Sequence, residues 1–175
     1  MLNCINIDST KYFSWGDTKG RNKNGTGSYV FDNDNYQAGY SGSGHNLSGD
    51  IKQGNARYDA ARANMGSPWK MFTHAQGQEL IDGTNSTWTT INGVNGRKFT
   101  SKTDSSKYIF LPAAGWRSGE YHNGKSTEGQ YWSTKHGNVD NVYHISFISG
   151  GYTVTQSTNW LGFSVRAIQV YYIKK

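Results

Sequence analysis

Apolar residues fall in short blocks along this chain, and their spacing changes once, near Gly83. Between Gly54 and that point the pattern is helical. Alanines at positions 56, 60, 61 and 63 run up to Met65 and stop at Gly66, Ser67 and Pro68, which predicts a short helix over Gly54 to Met65 with a glycine stop. Thr73 and Gln76 have capping-box spacing, and Glu79, Leu80 and Ile81 continue a second helix to an end at Asp82 and Gly83. Gly77 weakens that helix from within.

After Gly83 the apolar period shortens to two. TWTTING (Thr87 to Gly93) and GRKFT (Gly96 to Thr100) predict a hairpin around an Asn-Gly turn, and YIFLPAAG predicts a buried strand that Pro112 ends. In VYHISF, Tyr143, Ile145 and Phe147 alternate with His144 and Ser146, the pattern of a half-buried strand with the histidine and serine facing outward. GFSVRAIQV (Gly162 to Val170) predicts a last strand. The segment from Lys11 to Gly49, rich in Gly, Asn, Ser, Asp and Tyr, is expected to be irregular, with a short strand around Tyr12 to Trp15. No internal repeat or low-complexity linker divides the chain, so residues 1–175 are expected to form one domain.

Composition narrows the function classes. At 175 residues the chain is long enough to bury roughly 70% of the surface its unfolded form exposes, so no disulfide framework is required. The single cysteine, Cys4, has no intramolecular partner and no Cys or His neighbours of a metal cluster. Hydrophobic residues make up 34% and aromatics 14%, with 22 glycines, which favours short strands and many turns around an aromatic core. The formal charge of +6 favours anionic surfaces, but the Lys and Arg residues are scattered with no run longer than Lys174 and Lys175, which argues against a nucleic-acid site. No apolar run approaches the roughly 20 residues that cross a bilayer, so no membrane insertion is expected. The first ten residues, MLNCINIDST, lack the cationic and apolar regions of a cleavable export signal, and a virion component assembled in the cytoplasm would need none.

Motifs for catalysis or metal binding are missing at the sequence level. The Asp32, Asn33, Asp34, Asn35 run resembles the start of a calcium loop, but Tyr36 and Gln37 occupy the next two positions, and a polar turn is expected instead. The histidines, His45, His74, His122, His136 and His144, show no HExxH spacing, and neither a GxSxG elbow nor a phosphate loop occurs. The chain is therefore expected to be non-enzymatic, with no cofactor and no metal.

Four blocks carry a more specific signal. FLPAAGWRSG (Phe110 to Gly119), GQYWST (Gly129 to Thr134), VYHISF (Val142 to Phe147) and GFSVRAI (Gly162 to Ile168) hold aromatics and glycines at set places between polar segments of almost arbitrary composition. Together with KYFSWGDTKG (Lys11 to Gly20) and WKMFTHAQGQEL, they resemble the C-type-lectin-like domains of bacteriophage receptor-binding proteins and Bacteroidetes surface proteins, including the targets of diversity-generating retroelements. Phe72 stands where that family usually has proline. The resemblance implies an α+β, C-type-lectin-like fold, with two helices packed on a twisted, mostly antiparallel sheet and a long irregular insertion. It implies that Trp116, Tyr131, Trp132, Phe147, Phe163 and Arg166 are scaffold. The ligand surface it implies comprises Lys135, His136, Asn138, Asp140 and Asn141, then His144 and Ser146, then Thr153, Thr155, Gln156, Ser157, Asn159 and Trp160.

The function implied is binding: a phage tail or virion adhesion protein recognising a host cell-surface protein or glycan. The alternatives are a bacterial cell-surface adhesin, a metal-independent glycan lectin, and a structural virion or pilus-tip subunit. A homo-oligomer or attachment to a larger virion or surface assembly is compatible with each. A rigid sheet bearing His, Trp, Asn and Thr offers flat apolar area beside adaptable hydrogen-bonding groups at low entropy cost, and Trp160 is the sharpest anchor candidate. The related oxidoreductases of this fold bind copper through cysteines, which Cys4 alone does not supply, and the Glu-Pro-Asn, Gln-Pro-Asp and Trp-Asn-Asp motifs of calcium-dependent lectins are absent.

Overall fold

A computed structural model describes residues 4–6, 11–22, 31–36, 47, 49–138 and 140–169. Cys4–Asn6 (β1), Lys11–Tyr12 (β2) and Arg21–Asn22 (β3) precede Ala60–Met65 (α1), Lys70–Met71 (β4) and His74–Asp82 (α2). Thr84–Ile91 (β5), Val94–Ser101 (β6), Tyr108–Pro112 (β7), Trp116–Ser118 (β8) and Tyr121–Asn123 (β9) follow. Glu128–His136 (β10), Asn141–Ile148 (β11), Gly151–Thr158 (β12) and Arg166–Ile168 (β13) complete the order. The result is mostly antiparallel β structure with two short helices.

Local signals explain the helices. Asp59 caps α1, accepting from the Arg62 amide at 3.0 Å, and the same carboxylate holds the amides of Gly54 and Met71, so one fully buried side chain ties helix, preceding turn and β4 together. The helix is shorter than its alanine pattern suggests, because residues 53–58 form turns that supply this cap. Gly66 ends it, donating its amide to the Arg62 carbonyl. Thr73 and Gln76 form the expected reciprocal capping box, and α2 ends at Asp82 as expected. Gly77 has a packing reason. A Cβ there would meet the Phe72 ring at 3.1 Å and Ile145 at 3.5 Å, so glycine lets α2 lie directly on the core.

The hairpin pairs Ile91 with Val94 across Asn92 and Gly93, both at positive φ, and its strands run further from the turn than expected. β7 is not the buried strand expected. It is the edge of the β5-β6-β7 sheet, where Leu111 alone is fully buried and Tyr108 is 52% exposed. The last strand is also shorter than expected. Residues Phe163 and Ser164 make single bridges to Phe13 and Tyr131, and only Arg166–Ile168 pairs as a strand, between β1 and β4. The Asp32 to Asn35 run is a turn, with Asp32 Oδ1 accepting from the Asn35 amide at 2.8 Å. The side chain of Cys4, the segment Gly25 to Val30 and most of Gln37 to Ser48 lie outside the described residues.

The sheet β10-β11-β12 organises the core. Directly paired residues share a face, so Trp132, His144 and Thr155 point one way while Tyr131, Ile145 and Val154 point the other. Trp132 and Val142 join Phe13, Trp15 and Phe163 in one apolar cluster. Tyr131, Ile145 and Phe147 join Phe72, Phe99 and Leu111 in a second. Hence β10 and β11 are buried on both faces. Gly129 is required at its place, since a Cβ would lie 2.0 Å from the Phe147 ring.

Trp132 is fully buried. Its indole stacks on Phe163 with ring centroids 4.0 Å apart, and its N–H donates to the Phe13 carbonyl at 2.8 Å. Trp132→Ala should cost about 3 to 5 kcal/mol through lost transfer energy and a residual cavity. Trp132→Phe should cost less than the alanine variant but still destabilise, since it removes the indole donor from the buried Phe13 carbonyl. Urea unfolding midpoints with an unchanged m-value check both; an alanine variant as stable as the parent would remove Trp132 from the scaffold.

Candidate functional site

The hairpin between β10 and β11 is built from a bulge and a tight turn. Pairing shifts register between Trp132 and His136, so Ser133, Thr134 and Lys135 stand off the regular ladder opposite Tyr143, and pairing resumes at His136 with Val142. Asp50, reaching in from far along the chain, fixes Lys135 and His136: its carboxylate accepts from the His136 amide at 2.9 Å and lies 3.2 Å from Lys135 Nζ. The His136 ring stands 5.7 Å from that of Trp15. Beyond the bulge, the amides of Gly137 and Asn141 close the turn on the Asn141 and Asn138 carbonyls, each at 2.8 Å. The Asn159 amide donates to the Asp140 carbonyl at 2.8 Å, drawing the turn after β12 against the same tip.

The sequence candidates separate into three groups. Lys135, His136, Asn138, Asp140 and Asn141 gather at this tip; Lys135 and Asn138 are exposed and the others half-buried. Exposed Gln156 pairs with Tyr143 on the adjoining face, and half-buried Trp160 follows Asn159 in the adjacent turn. Thr153 and Thr155, exposed, and Ser146, half-buried, lie on the opposite face of the sheet, because the pleat alternates them with Gln156. The candidates therefore do not form one flat surface.

Two of them are interior. His144, expected to face outward, is 2% exposed, with its ring 4.7 Å from Phe163 and 5.5 Å from Trp132. The reason is that the Phe13 and Phe163 segments cover the face that a half-buried strand would show to water. Ser157 supports it: His144 Nε2 lies 2.9 Å from Ser157 Oγ, and Nδ1 lies 3.4 Å from the Ile145 carbonyl. A ring protonated on Nδ1 satisfies both contacts as donor and acceptor. Asn159 is also buried, at 3%, because its backbone carbonyl accepts from the Trp15 amide while its own amide is committed to Asp140.

Sequence reading missed Asp50, His74 and the outward part of Tyr143. The His74 and Tyr143 rings lie 4.5 Å apart, and Tyr143 pairs with Gln156 on β12. His74 carries a weak signal, standing just inside the capping box where a helix-start side chain projects from the body. Tyr143 carries none, because alternation assigns it to the core face.

Electrostatics set the interior apart from the tip. Burial pushes the His144 imidazole down to about 4, the Ile145 carbonyl opposing this only in part. Burial likewise raises the Tyr131 phenol, partly countered by the nearby Arg166 charge, and raises Asp17 despite the Lys19 amide on its carboxylate. No group of three or more His, Cys, Asp or Glu side chains comes together in a metal-holding arrangement among the described residues. No helix among them is long and apolar enough to cross a membrane. No protein-family model, curated protein or solved structure matches this chain.

The buried His144 makes stability pH-dependent with a definite sign. Its folded-state value lies below the ordinary 6.5, so the unfolded chain binds the proton more tightly between them. Its contribution is complete above about pH 6.5 and is lost as pH falls toward 4, amounting to about 3 kcal/mol across the window. Unfolding free energies of parent and His144→Gln between pH 4 and 7 should differ by this slope, whereas parallel profiles would place the imidazole in water.

Proposed function

We propose that this chain is a non-enzymatic, C-type-lectin-like binding domain that recognises a host cell-surface protein or glycan, as a phage receptor-binding protein does. The observation that carries the proposal is the tip. There the backbone of Gly137, Asn141 and Asn159 is hydrogen-bonded into a fixed frame while Lys135, Asn138 and Gln156 extend into water. Rigid backbone with solvated, adaptable side chains lowers the ordering cost of association. The half-buried Tyr143 and His74 rings add apolar area beside Gln156, and half-buried Trp160 lies in the turn after β12, residue types enriched at binding hot spots. The virion is the corresponding location, with the outer surface of a bacterial cell as the alternative.

A second reading, a metal-independent glycan lectin on a bacterial surface, is favoured by the same aromatic-plus-amide chemistry, since sugar C–H groups pack on Tyr and Trp faces. It uses the same residues and differs only in the ligand.

Labelled protein applied to a panel of bacterial cells and to a glycan array distinguishes these readings. A Lys135, Asn138, Gln156 and Trp160 quadruple alanine variant should lose attachment while its melting temperature stays nearly unchanged, since exposed substitutions usually cost within about 0.5 kcal/mol and Trp160 is the one half-buried member. Trp160→Ala should give the largest single loss, roughly 2 kcal/mol. Thr153→Ala with Thr155→Ala, on the opposite face, should bind like the parent. Attachment should survive EDTA. A folded quadruple variant that attaches normally would refute the tip as the site, and EDTA sensitivity would refute metal-independent recognition.

A further inference from the structure

Away from the tip, α2 and the inner face of β6 and β7 enclose a cleft of about 580 Å³. This lies within the roughly 300 to 1,000 Å³ of small-molecule sites. Strand register builds one wall: Phe99 pairs with Ile109 and Arg97 with Leu111, so Phe99, Ile109 and Leu111 share one face. Leu80 on α2 stands across from them, and the buried Phe72 and Ile145 close the floor. None of the tip residues contributes to it.

The polar side chains along this cleft are already committed elsewhere. Thr84 Oγ1 donates to the Leu80 carbonyl at 2.6 Å, and Ser106 Oγ donates to Asp104 Oδ1 at 2.6 Å. Ser101 Oγ accepts from the Thr103 amide at 3.2 Å, and Gln76 Oε1 accepts from the Thr73 amide and from Gln53 Nε2, each at 2.9 Å. Lys107 is exposed and matched by Asp104 at 2.6 Å, and Arg166 has a partner within the protein. Glu79 and Tyr108 are exposed, so water solvates them and screens the Glu79 charge.

We propose that this cleft binds an uncharged, hydrocarbon-like small molecule, packed between Leu80 and the Phe99, Ile109 and Leu111 wall. The committed polar groups select the class. A charge carried between these walls loses its hydration and meets only ions that are already matched or standing in water, and an unpaired buried charge is strongly disfavoured. A neutral apolar body gives up no such hydration and gains the burial of apolar surface, the one interaction the walls offer in quantity.

Fluorescence titration of the intact chain with the neutral dye N-phenyl-1-naphthylamine tests the assignment, with 1-methylnaphthalene, 1-naphthoate and 1-naphthylmethylammonium as competitors of one shape and three charges. The dye should bind saturably and 1-methylnaphthalene should displace it, while both ions compete at least roughly tenfold more weakly, the scale of leaving one buried polar group unpaired. This comparison uses the parent protein alone, so it stands whether or not a variant folds. Ile109→Trp on the edge strand and Leu80→Trp on α2 fill the cleft from opposite sides, and each should abolish dye binding. Lys135→Ala with Gln156→Ala, at the tip, should bind the dye like the parent. Either ion competing as well as 1-methylnaphthalene, parent-strength dye binding by a folded tryptophan variant, loss of dye binding in the tip variant, or no saturable binding would each overturn the proposal.

Discussion

Everything in this structure depends on two adjacent strands being buried on both faces. Tyr131 and Trp132 on β10, and His144 and Ile145 on β11, point alternately into two separate apolar clusters, so no residue in these stretches is free of packing. A register slip of one residue would exchange the two sets and drive Trp132 toward the Phe72 side, where the space is shaped for Tyr131 and Phe147. The stacked pair of Trp132 and Phe163 fixes the slip on one side, and the Phe147 ring seated over Gly129 fixes it on the other. That constraint explains why aromatic and glycine positions are tightly grouped in GQYWST and VYHISF, while the residues between them follow no pattern.

The tip inherits its rigidity from that core without sharing its packing. The buried Ser133 and Thr134 and the exposed Lys135 leave the ladder at the bulge and His136 rejoins it opposite Val142, and Lys135 and His136 are then held by Asp50. The exposed Lys135 and Asn138 side chains therefore contribute little to folding and, on the proposed reading, are free to follow a ligand. The cleft is the opposite case: its walls are core residues, and any ligand it holds is bound by surfaces that also stabilise the fold.

Local chemistry is legible in the sequence and long-range chemistry is not. The Thr73 and Gln76 box and the Asn92-Gly93 turn are readable because each is decided by residues within a few positions of itself. The inward turn of His144 is not, since a period of two shows that one face is apolar but not whether a distant segment covers the other. Phe13 and Phe163 do so here, from opposite ends of the chain. Asp50 has no readable role for the same reason, being 86 residues from the amide it holds. The cleft is hidden altogether, because α2, β6, β7, β11 and β13 each supply part of its wall.

The same long-range contacts shrink the surface available for recognition. Ser157 and Asn159 sit among the candidates in sequence, yet one supports the buried imidazole and the other joins Trp15 to the tip. Changing Ser157 for a ligand's sake disturbs a buried polar contact, and leaving the imidazole unpaired costs more than an exposed contact returns, whereas Asn159 is held through its backbone and is withdrawn from a ligand by its burial. Thr153 and Thr155 escape that restraint because β12 is an edge strand, but the pleat turns them away from Gln156. What remains is divided: Tyr143, Gln156 and His74 lie on one face of the sheet, His136 shares the face of Val142 against Trp15, and Lys135, Asn138 and Asn141 sit at the turn, with Trp160 in the turn after β12. On the proposed binding reading, recognition falls to positions whose backbone is anchored and whose side chains are not.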